Sequence, residues 1–272
     1  MEDNDDQFTT GDTEPESKEC VKEQQITDHF KIMINKARRA QKMVLIKRAD
    51  DLLIWGAQEE VDFSNIFGVK GNKIIKVRKY GQDSGKRMPA RFLMIDGVRR
   101  LMILANDLAI DNYKDFTKCN EYAAFVSPGM DVPYVINIGG NFEYRQGRKQ
   151  SISGKESQVA TLCHEMSHLQ WYYKDNNKGG MWTQDYISLK EFATSRANEI
   201  SYEAHVQVAN VLFRSGNDQI FENAYNIERY FEVKFDDNAI DASNDDALSS
   251  EVSKKILVLE NMLKTLDKKV VV

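Results

Sequence analysis

Residues 161–170 read Thr-Leu-Cys-His-Glu-Met-Ser-His-Leu-Gln, and they contain His164-Glu165-x-x-His168. On a helix, positions i and i+4 lie one turn apart on one face. Two imidazoles placed so can hold one metal ion, with Glu165 beside it. A catalytic zinc takes about three protein ligands and leaves one place for water. The metal lowers that water's pKa, a neighbouring carboxylate takes its proton, and the oxygen attacks a carbonyl. Val159, Leu162, Met166 and Leu169 supply the buried side of a helix over about 155–173, and Ser153-x-x-Glu156 reads as its capping box. The spacing therefore predicts a metal-binding helix at the centre of the fold.

On the N-terminal side, Glu121-Tyr-Ala-Ala-Phe-Val, a turn at Ser127-Pro-Gly, and Tyr134-Val-Ile-Asn-Ile before Gly139-Gly140 read as a β-hairpin. On the C-terminal side, 174–180 reads as a polar loop. Ser188-x-x-Glu191 is a second capping box, and a helix is expected over 189–213 through Leu189, Phe192, Ala197, Ile200, Ala204, Val208 and Leu212. The motif needs a third ligand. A third imidazole could come only from His205, late in that helix. Asp175 has no glycine before it to turn the chain. Asp185 in the loop, or Glu191, Glu199 or Glu203 on the helix, remain as candidates.

Further out, residues 1–24 are acidic and nearly free of apolar residues, which predicts a disordered tail. Thr27 or Asp28 caps a long amphipathic helix through Phe30, Met33, Ile34, Ala37, Val44 and Leu45 to about Trp55; His29 falls at its exposed start. Residues 61–69 read as a loop with apolar anchors, Lys73–Arg78 as a short strand, and 90–109 as a second helix. Basic residues crowd 70–100, and this is read as a solvated face. Residues 236–246 read as an acidic linker to a last helix carrying Val252, Ile256, Leu259 and Leu263. The expected organisation is a tail over 1–24, one domain over 25–215, and a linker with a helical extension over 216–272. The fold class is α+β, mainly helical, with a small hairpin beside the His-Glu helix.

Composition narrows the function classes. The net charge of −5 and the pI near 5.5 are not those of a dedicated nucleic-acid binder. No apolar run reaches the length of a membrane span. The N-terminus Met1-Glu-Asp-Asn-Asp-Asp is acidic where a Sec-type signal is basic and then apolar. Cys20, Cys119 and Cys163 are odd in number and widely spaced. No disulfide framework is expected, a reducing compartment is the default, and Cys163 reads as a buried thiol.

A wider similarity covers about 26–212. In order come the long helix, Ile66-Phe67-Gly68, a second helix, Tyr122-Ala-Ala-Phe-Val, Ser127-Pro-Gly, Tyr134-Val-Ile-Asn-Ile-Gly-Gly-Asn-Phe, Thr161-Leu-Cys-His-Glu-Met-Ser-His, and Trp182-Thr-Gln-Asp185. This resembles the deuterolysin group of zinc peptidases, the aspzincins, and most of all their lysine-specific metalloendopeptidase branch. Those enzymes carry Thr-Leu-x-His-Glu-x-Ser-His followed by Gly-Thr-x-Asp. The resemblance implies a zincin-like fold and Zn2+ held by His164, His168 and Asp185, with Glu165 as general base. The family's oxyanion tyrosine, three residues after the Asp, is Ser188 here, which leaves Tyr186 as the candidate. Of the family's acidic pocket, Glu203 is retained and the Asp position is Ile200. The implied activity is endopeptidase cleavage of a protein or peptide substrate. Toxin-type members without a cleaved signal imply synthesis in the cytoplasm, a signal-independent export route, and a cognate inhibitor or delivery partner. The alternatives are a gluzincin-type site with Glu199 as third ligand, a non-catalytic binding module, and hydrolysis of a different amide such as a cell-wall cross-link.

Overall fold

Thr27 opens the first helix: its Oγ1 accepts from the Phe30 N–H at 3.1 Å. The chain is seen here as a computed structural model, which describes residue 20 and residues 22–76, 87–126, 134–169, 179–186 and 202–270. Helix α1 (Asp28–Ile54) buries Phe30, Ile34, Ala37, Val44, Leu45 and Leu52 along one face, as the spacing predicts. The stretch expected as a loop is helical instead. In α2 (Ala57–Phe67), Glu59 Oε2 accepts from the Gly56 N–H at 2.8 Å, Phe63 and Phe67 are buried one turn apart, and Gly68 ends the helix at φ 66. An i, i+4 aromatic pair with an N-terminal acidic cap outweighs the polar residues between.

Strand β1 (Ile74–Lys76) pairs antiparallel with β2 (Arg87–Pro89), and α3 (Ala90–Asp107) follows. Part of the basic stretch is not a solvated face. Arg99 and Arg100 are 4% and 1% exposed and both bind Asp96, at 2.7 and 2.8 Å. Burial drives the Asp96 carboxyl up, but the two guanidinium groups outweigh it and hold it below the ordinary carboxylate range.

A three-stranded sheet stands next to the motif helix: β3 (Tyr113–Phe116), β4 (Ala124–Phe125) and β5 (Ile136–Gly139), in the order β3-β5-β4. The antiparallel β4–β5 pair is the expected hairpin. The parallel β3–β5 pair was not anticipated, because Tyr-Lys-Asp-Phe is too short and polar to announce a strand. After the small hairpin β6 (Tyr144–Arg145) and β7 (Arg148–Lys149), the motif helix α4 (Gln158–His168) begins three residues later than its sequence suggests. Ser157 Oγ caps it by accepting from the Ala160 N–H at 3.2 Å. Glu156 sits at φ 48, and Ser153 Oγ instead accepts from the Phe235 N–H at 2.9 Å. Helix α5 (Tyr202–Ser215) is the described part of the helix expected over 189–213; Ser188, Glu191, Glu199 and Ile200 lie outside the described residues.

The last quarter of the chain is not a separate extension. Helices α6 (Ala224–Tyr230), α7 (Asp237–Ala242) and α8 (Asp245–Val270) place Ile227, Tyr230, Ile240, Val252 and Leu259 in the same hydrophobic core as α1, α3 and α4. The acidic residues that suggested a linker are largely helix starts, with Asp236 accepting from the Asn238 N–H at 2.8 Å. Helix α8 lies along α1 and α3, and the buried Lys42 of α1 reaches Asp245 and Ser249 at 2.8 Å each. No helix among the described residues is long and apolar enough to cross a membrane.

Cys20 and Cys119 form a disulfide across 99 residues of sequence, which overturns the expectation that no disulfide framework is present. Wide spacing conceals such a pair. It also corrects the tail boundary, since Gln24 bridges Asp115 in β3 and Glu23 pairs with Lys114 at 3.3 Å. Cys163 is a buried free thiol, as expected, and burial pushes its pKa up to about 12. Closing a loop of this length lowers the unfolded state's entropy. Cys20→Ser, Cys119→Ser and the fully reduced wild type should each lose about 2–5 kcal/mol in denaturant unfolding. Three coincident curves are expected; a reduced protein as stable as the oxidised one would contradict the staple.

Candidate metal centre

Helix α4 is buried nearly all round. Val159, Leu162, Cys163 and Met166 meet the core, and Gln41 of α1 reaches the sulfur of Met166 at 3.2 Å. His164 and Glu165 are buried, at 6% and 7% exposure, while His168 is partly exposed. The chain then returns beneath the end of α4. The Ser167 carbonyl accepts the N–H groups of both Met181 and Thr183, at 3.0 and 3.1 Å. Gly180 is needed there, because a Cβ would fall 1.9 Å from the Met166 carbonyl oxygen. Trp182, at the place where the resembled family has Gly, keeps a left-handed φ of 55.

This turn delivers Asp185 to the histidine pair. Its Oδ1 lies 3.2 Å from His164 Nε2 and its Oδ2 3.5 Å from His168 Nε2. Ligand atoms of all three residues lie within 4.8 Å of one another. The segment 183–186 is itself clamped. Gln184 forms a parallel bridge with Asn223, and the Tyr186 N–H points to Asn223 Oδ1 at 3.4 Å. Asn223 donates to Asn226 Oδ1 at 2.6 Å, and Asn226 donates to the Ala209 carbonyl at 3.1 Å.

Both imidazoles are held by their other nitrogen. His164 Nδ1 meets Glu228 Oε2 at 3.0 Å, and His168 Nδ1 meets the Thr183 carbonyl at 3.0 Å. A carbonyl can only accept, so a neutral, metal-binding His168 carries its proton on Nδ1 and offers Nε2 on the side of Asp185; the Glu228 carboxylate sets the same tautomer at His164. Asp185 Oδ1 is buried and has no hydrogen bond of good geometry among the described residues. A carboxylate that sets one oxygen near each of two imidazole Nε2 atoms is an arrangement that a divalent cation satisfies. Two His nitrogens and one carboxylate are a donor set suited to zinc. The other cluster of this kind among the described residues, Cys20, Cys119 and Glu121, has its sulfurs tied to each other in the disulfide.

No family model matches the chain, and no match was found among curated proteins or solved structures. The residues and their geometry carry the reading.

The electrostatics of the site follow from the same contacts. Burial pulls both imidazoles down, but Asp185 outweighs it, with Glu228 helping at His164, and both stand above the ordinary histidine value. Burial pushes the Asp185 carboxyl up, and the two imidazoles hold it well below its usual range. Burial pushes the Glu165 carboxyl above its ordinary value.

His164, Glu165, His168 and Asp185 are thus brought together. The Tyr186 hydroxyl is instead committed to Glu222 Oε2 at 3.0 Å, and the residue is 3% exposed. Glu203 is exposed in the first turn of α5. Glu199 lies outside the described residues. Glu228 on α6 was missed, because a lone acid 60 residues past a motif has no spacing rule to announce it. His205 does approach from α5: its Nδ1 is 3.3 Å from the Tyr186 carbonyl, and its ring stacks on Tyr225 at 4.7 Å.

Two outcomes follow from this arrangement. Glu228→Ala frees the His164 ring, so zinc affinity measured by chelator competition should drop about 10–100-fold while the fold remains. In the metal-free protein, the raised histidines contribute stability that is complete below about pH 6.5 and is lost as pH rises through their folded values. Asp185 contributes stability that is present above about pH 4 and is lost as pH falls through its depressed value. Thermal unfolding of chelator-treated protein should therefore peak in the mildly acidic range, and Asp185→Asn should flatten the peak.

Proposed function

We propose that the chain is a zinc-dependent endopeptidase of zincin-like fold. One observation carries this reading: His164, His168 and Asp185 bring ligand atoms within 4.8 Å of one another at the helix that also carries the buried Glu165. The β4 edge of the small sheet, packed against α4, also suits a peptidase, because an extended substrate backbone can pair with such an edge.

His164, His168 and Asp185 would hold the ion, and a bound zinc would supply Lewis-acid chemistry to a water and a carbonyl. Glu165 takes the proton of the attacking water. The new C–O bond forms, Glu165 passes the proton to the amide nitrogen, and the C–N bond breaks. Glu228 and the Thr183 carbonyl keep both rings turned toward the ion. The Cys20–Cys119 disulfide supports a location outside a reducing cytosol, in keeping with an exported effector that meets its substrate elsewhere.

Elemental analysis of wild type, Asp185→Ala and Glu199→Ala, dialysed alike, should show about one zinc in wild type, lost in Asp185→Ala and kept in Glu199→Ala. Glu165→Gln should keep its zinc and lose about 10²–10⁴-fold in cleavage rate on a panel of protein and peptidoglycan substrates. Zinc lost only with Glu199→Ala would move the site to a gluzincin arrangement. A wild type without zinc affinity would sink the proposal.

A further inference from the structure

Glu228 sets the His164 ring, so whatever holds Glu228 bears on the metal. Among the described residues its carboxylate has one hydrogen bond, to His164 Nδ1, and the side chain is only 13% exposed. A carboxylate has room for about four donors, and a largely buried one is costly when few reach it. Donors without partners stand close by. Gln158, in the first turn of α4, is 4% exposed; its backbone N–H is bonded to the Ser151 carbonyl at 3.0 Å, but its side-chain amide has no hydrogen bond among the described residues. The Thr161 hydroxyl, one turn on, has none there either. Gln158, Thr161 and Glu165 fall at i, i+3 and i+7, along one stripe of the helix. Gln158 and Thr161, with Glu228, Ser157, Asn141 and Phe142, line a recess of about 20 Å³ between α4, α6 and the turn after β5. A water needs about 10–15 Å³. The recess therefore has room for one, with unpartnered donors and an under-supplied carboxylate on its walls. Native interiors satisfy such groups with ordered water.

We propose that this recess is a water site and that Gln158, acting through the water on Glu228, is a positioning residue for the His164 ring. This rests on the metal reading of the site above. The Gln158 Nε2–H donates to the water oxygen, and the water donates one O–H to Glu228 and the other to Thr161 Oγ1. No proton changes hands, and none of these groups touches the metal. The water joins α6 back to α4, so that His164 and the acid that turns it are fastened to the same helix.

The test is a cycle of zinc affinities, measured by chelator competition on the full chain: wild type, Gln158→Leu, Glu228→Ala and the double variant. Gln158→Leu keeps most of the side-chain volume and removes the donor. It should weaken zinc about tenfold, at the low end for a group that supports a ligating imidazole. In the Glu228→Ala background the same change should alter affinity less than about twofold, because the water no longer has its acid to hold. Thr161→Val carries the same cycle, with smaller losses, if Gln158→Leu folds poorly. Losses that simply add would mean a general packing role and would overturn the proposal, as would Gln158→Leu binding zinc like wild type. A crystal structure of the metal-free chain gives an independent readout: a water bonded to both the Gln158 amide and the Glu228 carboxylate in wild type, gone in Gln158→Leu. A dry recess, or Gln158 bonded directly to Glu228, would overturn the water site. A wild type that holds the water but has no zinc affinity fails one step earlier, at the metal reading; a wild type that binds zinc with no water between these groups fails here alone.

Discussion

A histidine on a helix can offer a metal either ring nitrogen, and the choice at His164 and His168 is made by what holds the other one. Glu228 takes one ring and the Thr183 carbonyl takes the other, so both Nε2 atoms turn toward Asp185. Everything else at the site depends on that double tether. Without it the two imidazoles would be two buried polar groups competing for core space; with it they converge on one point, and Asp185 completes the point from a third direction. The carboxylate sits low in pKa and the imidazoles high because each outweighs the cost of burial for the other.

The tethers come from two different elements. One is the turn that runs back under α4 on the Ser167 carbonyl. The other is α6, whose Ile227 and Tyr230 are core residues while Tyr225 and Glu228 face the histidines. The bridge between Gln184 and Asn223 joins the two supports directly, and the buried Asn223–Asn226 pair secures the bridge to α5. Buried amides satisfied this completely act as rigid spacers. The position of Asp185 is therefore a property of the packing of α4, α5 and α6 and not of its own loop.

Those relationships explain what could be read from the sequence. A helical period with a cap is a local signal, and α1, α3, the core of α4 and the β4–β5 pair were legible from it. His164, Glu165 and His168 were legible because their chemistry and their spacing coincide within one turn. Asp185 was one of several acids until a resemblance singled it out, and the structure places it between the two rings. What stayed hidden was non-local. Glu228 and Tyr225 owe their places to helix packing across some 60 residues. Arg99 and Arg100 look like surface charge until Asp96, on the same helix, is seen to neutralise them inside the core. Residues 236–246 look like a linker because the acids that cap helices are also the acids that fill linkers.

The Cys20–Cys119 bond ties the start of the described chain to the turn after β3, beside the glycines that let β5 pass close to the Tyr122 carbonyl. It turns a linear polymer into one with a closed ring of about a hundred residues. A ring cannot be drawn through an opening that admits a single extended strand. A channel of that width can pass this chain only with both thiols reduced, and once the bond has closed on the far side the same opening no longer admits the chain's return. The covalent bond that steadies the sheet thus also sets, by its redox state, which openings the unfolded chain could thread.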